Sequence, residues 1–208
     1  MKPQEMILIG SGGHALSLAE FASDRIYGYL SLTPNEEMPG KWLGNDEAAE
    51  KFIHEGFLFH MGYIYSGWPI MLKRRELLRE YINKGAHFLS LISPAAVITP
   101  KSKLGEGVAV MAGAIVNRAC LGDHVVVNSG AIVEHDCKVS ENTFIAPGAV
   151  VGGFTSIGEN CFIGLGARVG NGLKIADNIT VAMGAVVNKN LTEPGIYHGS
   201  PLKHFKFR

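Results

Sequence analysis

The sequence predicts two parts: an α/β amino-terminal unit of Rossmann type, then a left-handed parallel β-helix built from hexapeptide repeats. Three observations carry this. From Leu121 every sixth residue is aliphatic: Leu121, Val127, Val133, Val139, Ile145, Val151, Ile157, Ile163, Val169, Ile175, Val181 and Val187, all but the first β-branched. Roughly a quarter of positions in an average chain are Leu, Ile or Val, so twelve hits in succession are not chance. Twelve of the 18 aromatic residues fall within the first 92 positions, and only Phe144, Phe154 and Phe162 lie between Ser93 and Val187. Glycine is enriched, 26 of 208 residues, against a usual ~7% and without the every-third-residue rule of collagen.

A period of six fits neither a helix nor a single strand. It fits three short strands closing a triangular coil of about 18 residues, with each sixth side chain pointing to the axis. β-Branched side chains suit that pleated, narrow interior. A second series, Ile92, Ile98, Leu104, Val110 and Val116, keeps the period but is one residue out of phase. One corner between Val116 and Leu121 is therefore a residue short. Glycines 105, 122, 158, 164 and 170 follow repeat residues and are expected to relieve corners. Residues 93–190 make about five to six coils.

In the first half, Met6–Ile9 reads as a buried strand leading into Gly10-Ser-Gly-Gly-His14-Ala and an apolar helical pattern (Leu16, Leu18, Ala19, Ala22). Ile26–Leu30 reads as a second strand, 46–55 as a short helix, Tyr63–Tyr65 as a third strand and 71–84 as a helix. Alternation of strands and helices implies a parallel α/β layer. The expected domains are 1–92, 93–190 and a tail, 191–208.

Nineteen basic and nineteen acidic side chains balance, so nothing marks a nucleic-acid or anionic-membrane partner. Hydrophobic residues at 47% and charged at 18% argue against disorder. No leader or apolar run of spanning length occurs. Cys120, Cys137 and Cys161 are widely spaced, with no CxxC pair, which fits a reducing cytoplasm and small buried thiols.

Acyl transfer needs a group to take the nucleophile's proton and donors for a tetrahedral oxyanion. The solenoid holds two histidines, too few for a three-histidine zinc site. His124 sits in a Gly-Asp-His corner and suits packing. His135 lies in Glu134-His135-Asp136, where either carboxylate could fix its tautomer and raise its basicity. One coil of 18 residues beyond His135 is Gly153. Strands stack about 4.8 Å apart, so a backbone without a side chain lies next to the imidazole, and its N–H could donate to a thioester oxygen. Gly10-x-Gly12-x-x-Ala15 also fits a dinucleotide fingerprint, with glycines opening a helix N-terminus to a pyrophosphate. A NAD site wants an acid after the second strand, where Tyr29-Leu30-Ser31-Leu32 has none.

Taken with Ile9-Gly-Ser-Gly-Gly-His14-Ala, Leu91-Ile-Ser-Pro94, Ile132-Val-Glu-His135-Asp-Cys, Ile145-Ala-Pro-Gly-Ala and Gly199-Ser-Pro201-Leu-Lys, the chain resembles bacterial hexapeptide-repeat sugar acetyltransferases. The group includes sialic acid O-acetyltransferases and N-acetyltransferases of nucleotide-linked 4-amino-4,6-dideoxy sugars. The resemblance implies acetyl-CoA as co-substrate, no metal, a homotrimer and active sites in clefts between neighbouring solenoids. It also implies His135 as base, Asp136 as orienting acid where relatives often carry Glu, and Gly153 as oxyanion donor. Gly12, Gly13, His14 and Asn128 fall on acceptor-site positions, and Phe144, Leu165, Ala182 and Met183 on coenzyme A positions. Two departures concern the acceptor: Ser31-Leu32 replaces acidic residues, and Tyr65-Ser-Gly-Trp68-Pro replaces a glycine-asparagine loop. Trp42 and Trp68 are candidates to stack on a base or sugar. The leading expectation is N-acetylation of a nucleotide-linked amino sugar for a surface glycan. O-acetylation of a sialic acid or another hydroxyl shares every motif, and a non-catalytic scaffold or sugar-binding module is the alternative of another class.

Overall fold

The computed structural model describes residues 5–64, 70–199 and 203–205. Contacts divide the chain into two compact units, one of Met1–Ile64 with Arg74–Leu91, the other of Tyr65–Lys73 with Ile92–Arg208.

The first unit is built on a five-stranded sheet: β1 (Met6–Ile9), β2 (Ile26–Leu30), β3 (Lys41–Trp42), β4 (Leu58–Met61) and β5 (His87–Phe88). Its order is β3-β2-β1-β4-β5, and every pairing is parallel. Helices α1 (Gly13–Ala22), α2 (Ala49–His54) and α3 (Ile70–Asn83) make the connections. All four residues of β1 are fully buried, as a central parallel strand covered on both faces must be.

The third strand differs from the expectation at Tyr63–Tyr65. It runs instead over Leu58–Met61, while Tyr63 and Ile64 carry no strand and Tyr65 lies outside the described residues. A buried polar residue hid it: His60 is fully buried, and its Nδ1 donates to the Leu89 carbonyl at 2.7 Å. β3 and β5, two residues each, carry too little pattern to be read. The helix expected over 46–55 begins as a 3-10 turn, Asp46–Ala48, capped by the Asn45 side chain.

The second unit is a three-sided coil. Face I carries Leu91–Ile92, Ala109–Val110, Val126–Val127, Phe144–Ile145, Phe162–Ile163 and Ile179–Val181. The tail then adds Gly195–His198 and Lys203–Phe205. Face II carries Val97–Ile98, Ile115–Val116, Ile132–Val133, Val150–Val151, Arg168–Val169 and Val186–Val187. Face III carries Lys103–Leu104, Cys120–Leu121, Lys138–Val139, Ser156–Ile157 and Lys174–Ile175.

The sixth-residue series fills the axis: Val127, Val133, Ile145, Val151, Ile163 and Val181 are fully buried. Two residues before each lies a second inward position, which takes Val125 and Ile179 but is filled by small side chains in the coils between. Ala131, Cys137, Thr143, Ala149, Thr155, Cys161 and Ala167 occupy it. Thr143 and Thr155 hydroxyls donate to the carbonyls of Gly158 and Gly170, and the Cys137 and Cys161 thiols make the same step to Gly152 and Ala176. Burial pushes the Cys161 thiol up to about 12 and raises Cys137 as well. These cysteines are therefore packing residues, whereas Cys120 is exposed on face III.

The expected corner glycines act by space. Added Cβ atoms at Gly122 and Gly164 would meet the Glu141 and Met183 nitrogens of the next coil at 2.9 and 2.6 Å. Left-handed backbone falls instead on other residues, among them a column at the corner between faces III and I: His124, Asn142, Asn160 and Asn178. There the Asn142 amide donates to Asn160 at 3.0 Å, and Asn160 to Asn178 at 3.3 Å. His124 is buried in this column, as the packing expectation has it. Among the described residues no helix is long and apolar enough to cross a membrane.

Candidate active site

The corner from face II to face III gathers His135, Asp136 and Gly153. Ile132–Val133 delivers the chain to Glu134-His135, and Asp136 turns it with φ +61°. The His135 side chain is 45% exposed, and its Nδ1 lies 3.0 Å from Asp136 Oδ2. A carboxylate only accepts, so the proton sits on Nδ1 and the neutral ring keeps its lone pair on Nε2. Glu134 takes a different part: Oε2 accepts from the His135 backbone N–H at 3.2 Å and from the Asn117 amide at 3.0 Å. It fixes the corner, and Asp136 holds the ring.

Asp136 has a second partner. The Arg118 guanidinium donates to Oδ1 at 3.3 Å, and Arg118 O accepts from Asp136 N at 3.2 Å. The hydrogen bond with His135, then the Arg118 charge, hold the Asp136 carboxyl below the usual carboxylate range. Arg118 and Asn117 lie on the corner that is one residue short. That missing residue is the sequence signal for them, because it brings Arg118, with φ +49°, onto the column of Asp136.

Gly153 stands one coil on. A Cβ there would meet Cε1 and Nε2 of His135 at 2.8 Å, closer than any side chain allows, so the imidazole lies directly on peptide backbone. Among the described residues the Gly153 N–H has no protein acceptor. Phe154 follows with φ +62°, and its ring meets the His135 ring edge to face, centroids 5.0 Å apart.

The other solenoid candidates lie elsewhere. Asn128, Leu165, Ala182 and Met183 occupy the corner from face I to face II, where Leu165 and Met183 are exposed. Asn128 Oδ1 accepts from the Ser129 backbone N–H at 2.7 Å and so caps its own turn. Phe144 is buried on face I, stacked on Phe162 at 5.2 Å. A depression of about 330 Å³, lined by Thr99, Pro100, Lys101, Asn117 and Arg118, lies on the His135 corner toward the amino terminus. A larger one, about 420 Å³, lies on face III between Lys138 and Lys174, away from His135.

In the first unit, Gly12 is the N-cap of α1. Gly12 and Gly13 are exposed, and a Cβ at either would meet nothing within 4 Å. Gly10, with φ +106°, packs on the Tyr63 ring. His14 is partly exposed as a residue, but its Nε2 is sealed from solvent and has no hydrogen-bond partner among the described residues. Burial first, then His60 and Arg74, lower its pKa to about 3. Trp42 is 45% exposed and donates from Nε1 to the Ser31 carbonyl. Trp68 and 200–202 lie outside the described residues.

Fold and corner together define a hexapeptide-repeat acyltransferase. Residues 154–189 match the family described as hexapeptide repeat of succinyl-transferase. No curated protein sequence matches the chain. PerB from Caulobacter crescentus, solved with CoA and GDP-perosamine, superposes with TM-score 0.87 at 31% identity, over 97% of each chain. A mutant of perosamine N-acetyltransferase from the same organism, with the same ligands, gives 0.88 at 29%, over 98% of this chain and 97% of that one. The acetyltransferase domain of PglB from Neisseria gonorrhoeae FA1090, with acetyl coenzyme A, gives 0.84 at 27%, over 98% and 100%. The chain belongs to the bacterial hexapeptide-repeat sugar acetyltransferases, whose solenoid is left-handed.

Proposed function

We propose that this chain transfers the acetyl group of acetyl-CoA to the amine of a nucleotide-linked 4-amino-4,6-dideoxy sugar for surface glycan synthesis. The observation that carries the mechanism is an imidazole with its Nδ1 proton held by Asp136 and its Nε2 side pressed against side-chain-free backbone. The amine attacks the thioester carbonyl, forming the C–N bond, and its proton passes to His135 Nε2. The Gly153 N–H stabilises the oxyanion. The C–S bond then breaks, and the proton leaves the imidazole for the thiolate. Gly12, Gly13 and His14 line the acceptor side in a Rossmann-type unit of residues 1–92. The coils of 93–190 do the chemistry, with 191–208 as a tail.

The partner of one solenoid is two more copies. On face II the outward side chains are Val97, Ile115, Ile132, Val150, Arg168 and Val186, a stripe apolar at every position but Arg168, with Val97 54% and Val186 42% exposed. On face III the same positions read Lys103, Cys120, Lys138, Ser156 and Lys174. Three prisms turning face II to a common axis bury that stripe. They also bring the His135 corner of one copy against the Leu165–Met183 corner of the next, which supplies the second wall for the pantetheine arm and sets Asn128 near the acceptor. Phe144 supports packing beneath that wall. Reduced Cys120, Cys137 and Cys161 and the CoA donor fit a cytoplasmic enzyme.

A thiol-release assay across GDP-, UDP- and dTDP-linked 4-amino sugars and free sialic acid tests the acceptor. Turnover is expected with a nucleotide-linked amine; turnover confined to sialic acid would replace this acceptor with a hydroxyl. Sedimentation of an active monomer would remove the shared cleft.

A further inference from the structure

Phe154 stands where its residue type is least at home. The stacked corner positions Arg118, Asp136, Phe154 and Gly172 all have left-handed backbone, with φ of +49°, +61°, +62° and +68°. Glycine takes that conformation without strain, and Asp tolerates it, but a bulky aromatic residue rarely adopts it. Burial does not compensate, since Phe154 is 64% exposed. Within its own chain, a strained and exposed aromatic side chain therefore has no stability rationale. What the ring touches is the proposed base: it meets the imidazole at 89° with centroids 5.0 Å apart, while Phe154 N donates to His135 O at 2.9 Å.

His135 is thus restrained by Asp136 at Nδ1, by the Gly153 backbone against Cε1 and Nε2, and by the Phe154 ring. Without the ring, a side chain 45% exposed within its own chain has room to turn away from the Gly153 amide. We propose that Phe154 is a positioning residue of the acetyl-transfer site, holding the His135 imidazole against the Gly153 amide at the expense of local backbone strain. The proposal rests on His135 being the base. Strain kept at a site that uses it is a recurring pattern.

The test is Phe154→Asn beside Phe154→Tyr and His135→Ala in the full-length protein. Asn accepts left-handed backbone and has no ring, so the melting temperature is expected to hold or rise by about 2–4 °C. Its kcat is expected to fall about 10- to 50-fold, with the acetyl-CoA KM within about 3-fold. Phe154→Tyr, which keeps the ring, is expected to stay within about 3-fold of the parent. Three results would overturn the proposal: a Phe154→Asn kcat within about 3-fold of the parent, a loss shared equally by Phe154→Tyr, or a loss that accompanies a lower melting temperature or dissociation of the oligomer. An active His135→Ala would instead remove the base assignment itself, whatever Phe154→Asn does.

Discussion

Gly153→Ala separates the chemistry of the corner from its stability. The new Cβ would sit 2.8 Å from both Cε1 and Nε2 of His135, where ordinary contact begins at 3.4 Å. The imidazole must therefore retreat by about 0.6 Å (3.4 − 2.8). A retreat of that size moves Nε2 off the position it holds beside the Gly153 amide, while Asp136 still tethers the ring at Nδ1, 3.0 Å away. Misplacement on the ångström scale costs about 100-fold in rate, so kcat/KM should fall about 10- to 100-fold, or about 1.4–2.8 kcal/mol. The fold should not suffer: Gly153 does not occupy left-handed backbone, the ring is half exposed, and alanine restricts the unfolded chain. Thiol-release kinetics and a thermal melt read both quantities. A kcat/KM within about 3-fold of the parent would show that the ring does not work from the position it holds in the structure.

Asp136→Asn keeps an acceptor for Nδ1 but removes the charge that favours the imidazolium, so kcat should fall about 10- to 100-fold with KM little changed; an unaltered kcat would give Asp136 a turn-forming role only. Arg118→Ala should raise the Asp136 carboxyl toward its usual range, read by NMR titration, because the Arg118 charge is one of the causes that lower it. His14 gives a pH signature. Its folded pKa is lowered to about 3, chiefly by burial, so between that value and about 6.5 the unfolded chain binds a proton that the folded one refuses. Stability is full above the unfolded value and lost as pH falls below it, by at most about 2 kcal/mol between pH 6.5 and 5. His14→Asn should flatten this fall in urea melts at the two pH values, and an unchanged slope would place the loss elsewhere.

The solenoid was legible because one physical demand, an aliphatic side chain at the axis, recurs at twelve successive positions six residues apart. The first unit was less so, since β3 and β5 hold two residues each and buried His60 interrupts β4. His135 and Asp136 announce themselves by residue type, and Gly153 by adding one coil. Which carboxylate holds the ring could not be read, because Glu134 and Asp136 flank it equally in sequence and only the turn at Asp136 decides. Asn117 and Arg118 reach the site through a deletion that shifts the register. Phe154 reads as a stray aromatic residue until its backbone angle and its distance from His135 are known.

The proposed chemistry stands on the His135 imidazole as the base. Its direct measurement is single-turnover acetyl transfer by His135→Ala with a nucleotide-linked 4-amino sugar, alongside its thermal melt. If His135 is the base, transfer slows by about 100-fold or more with the melting temperature nearly unchanged. Transfer at the parent's rate by a well-folded variant would contradict it.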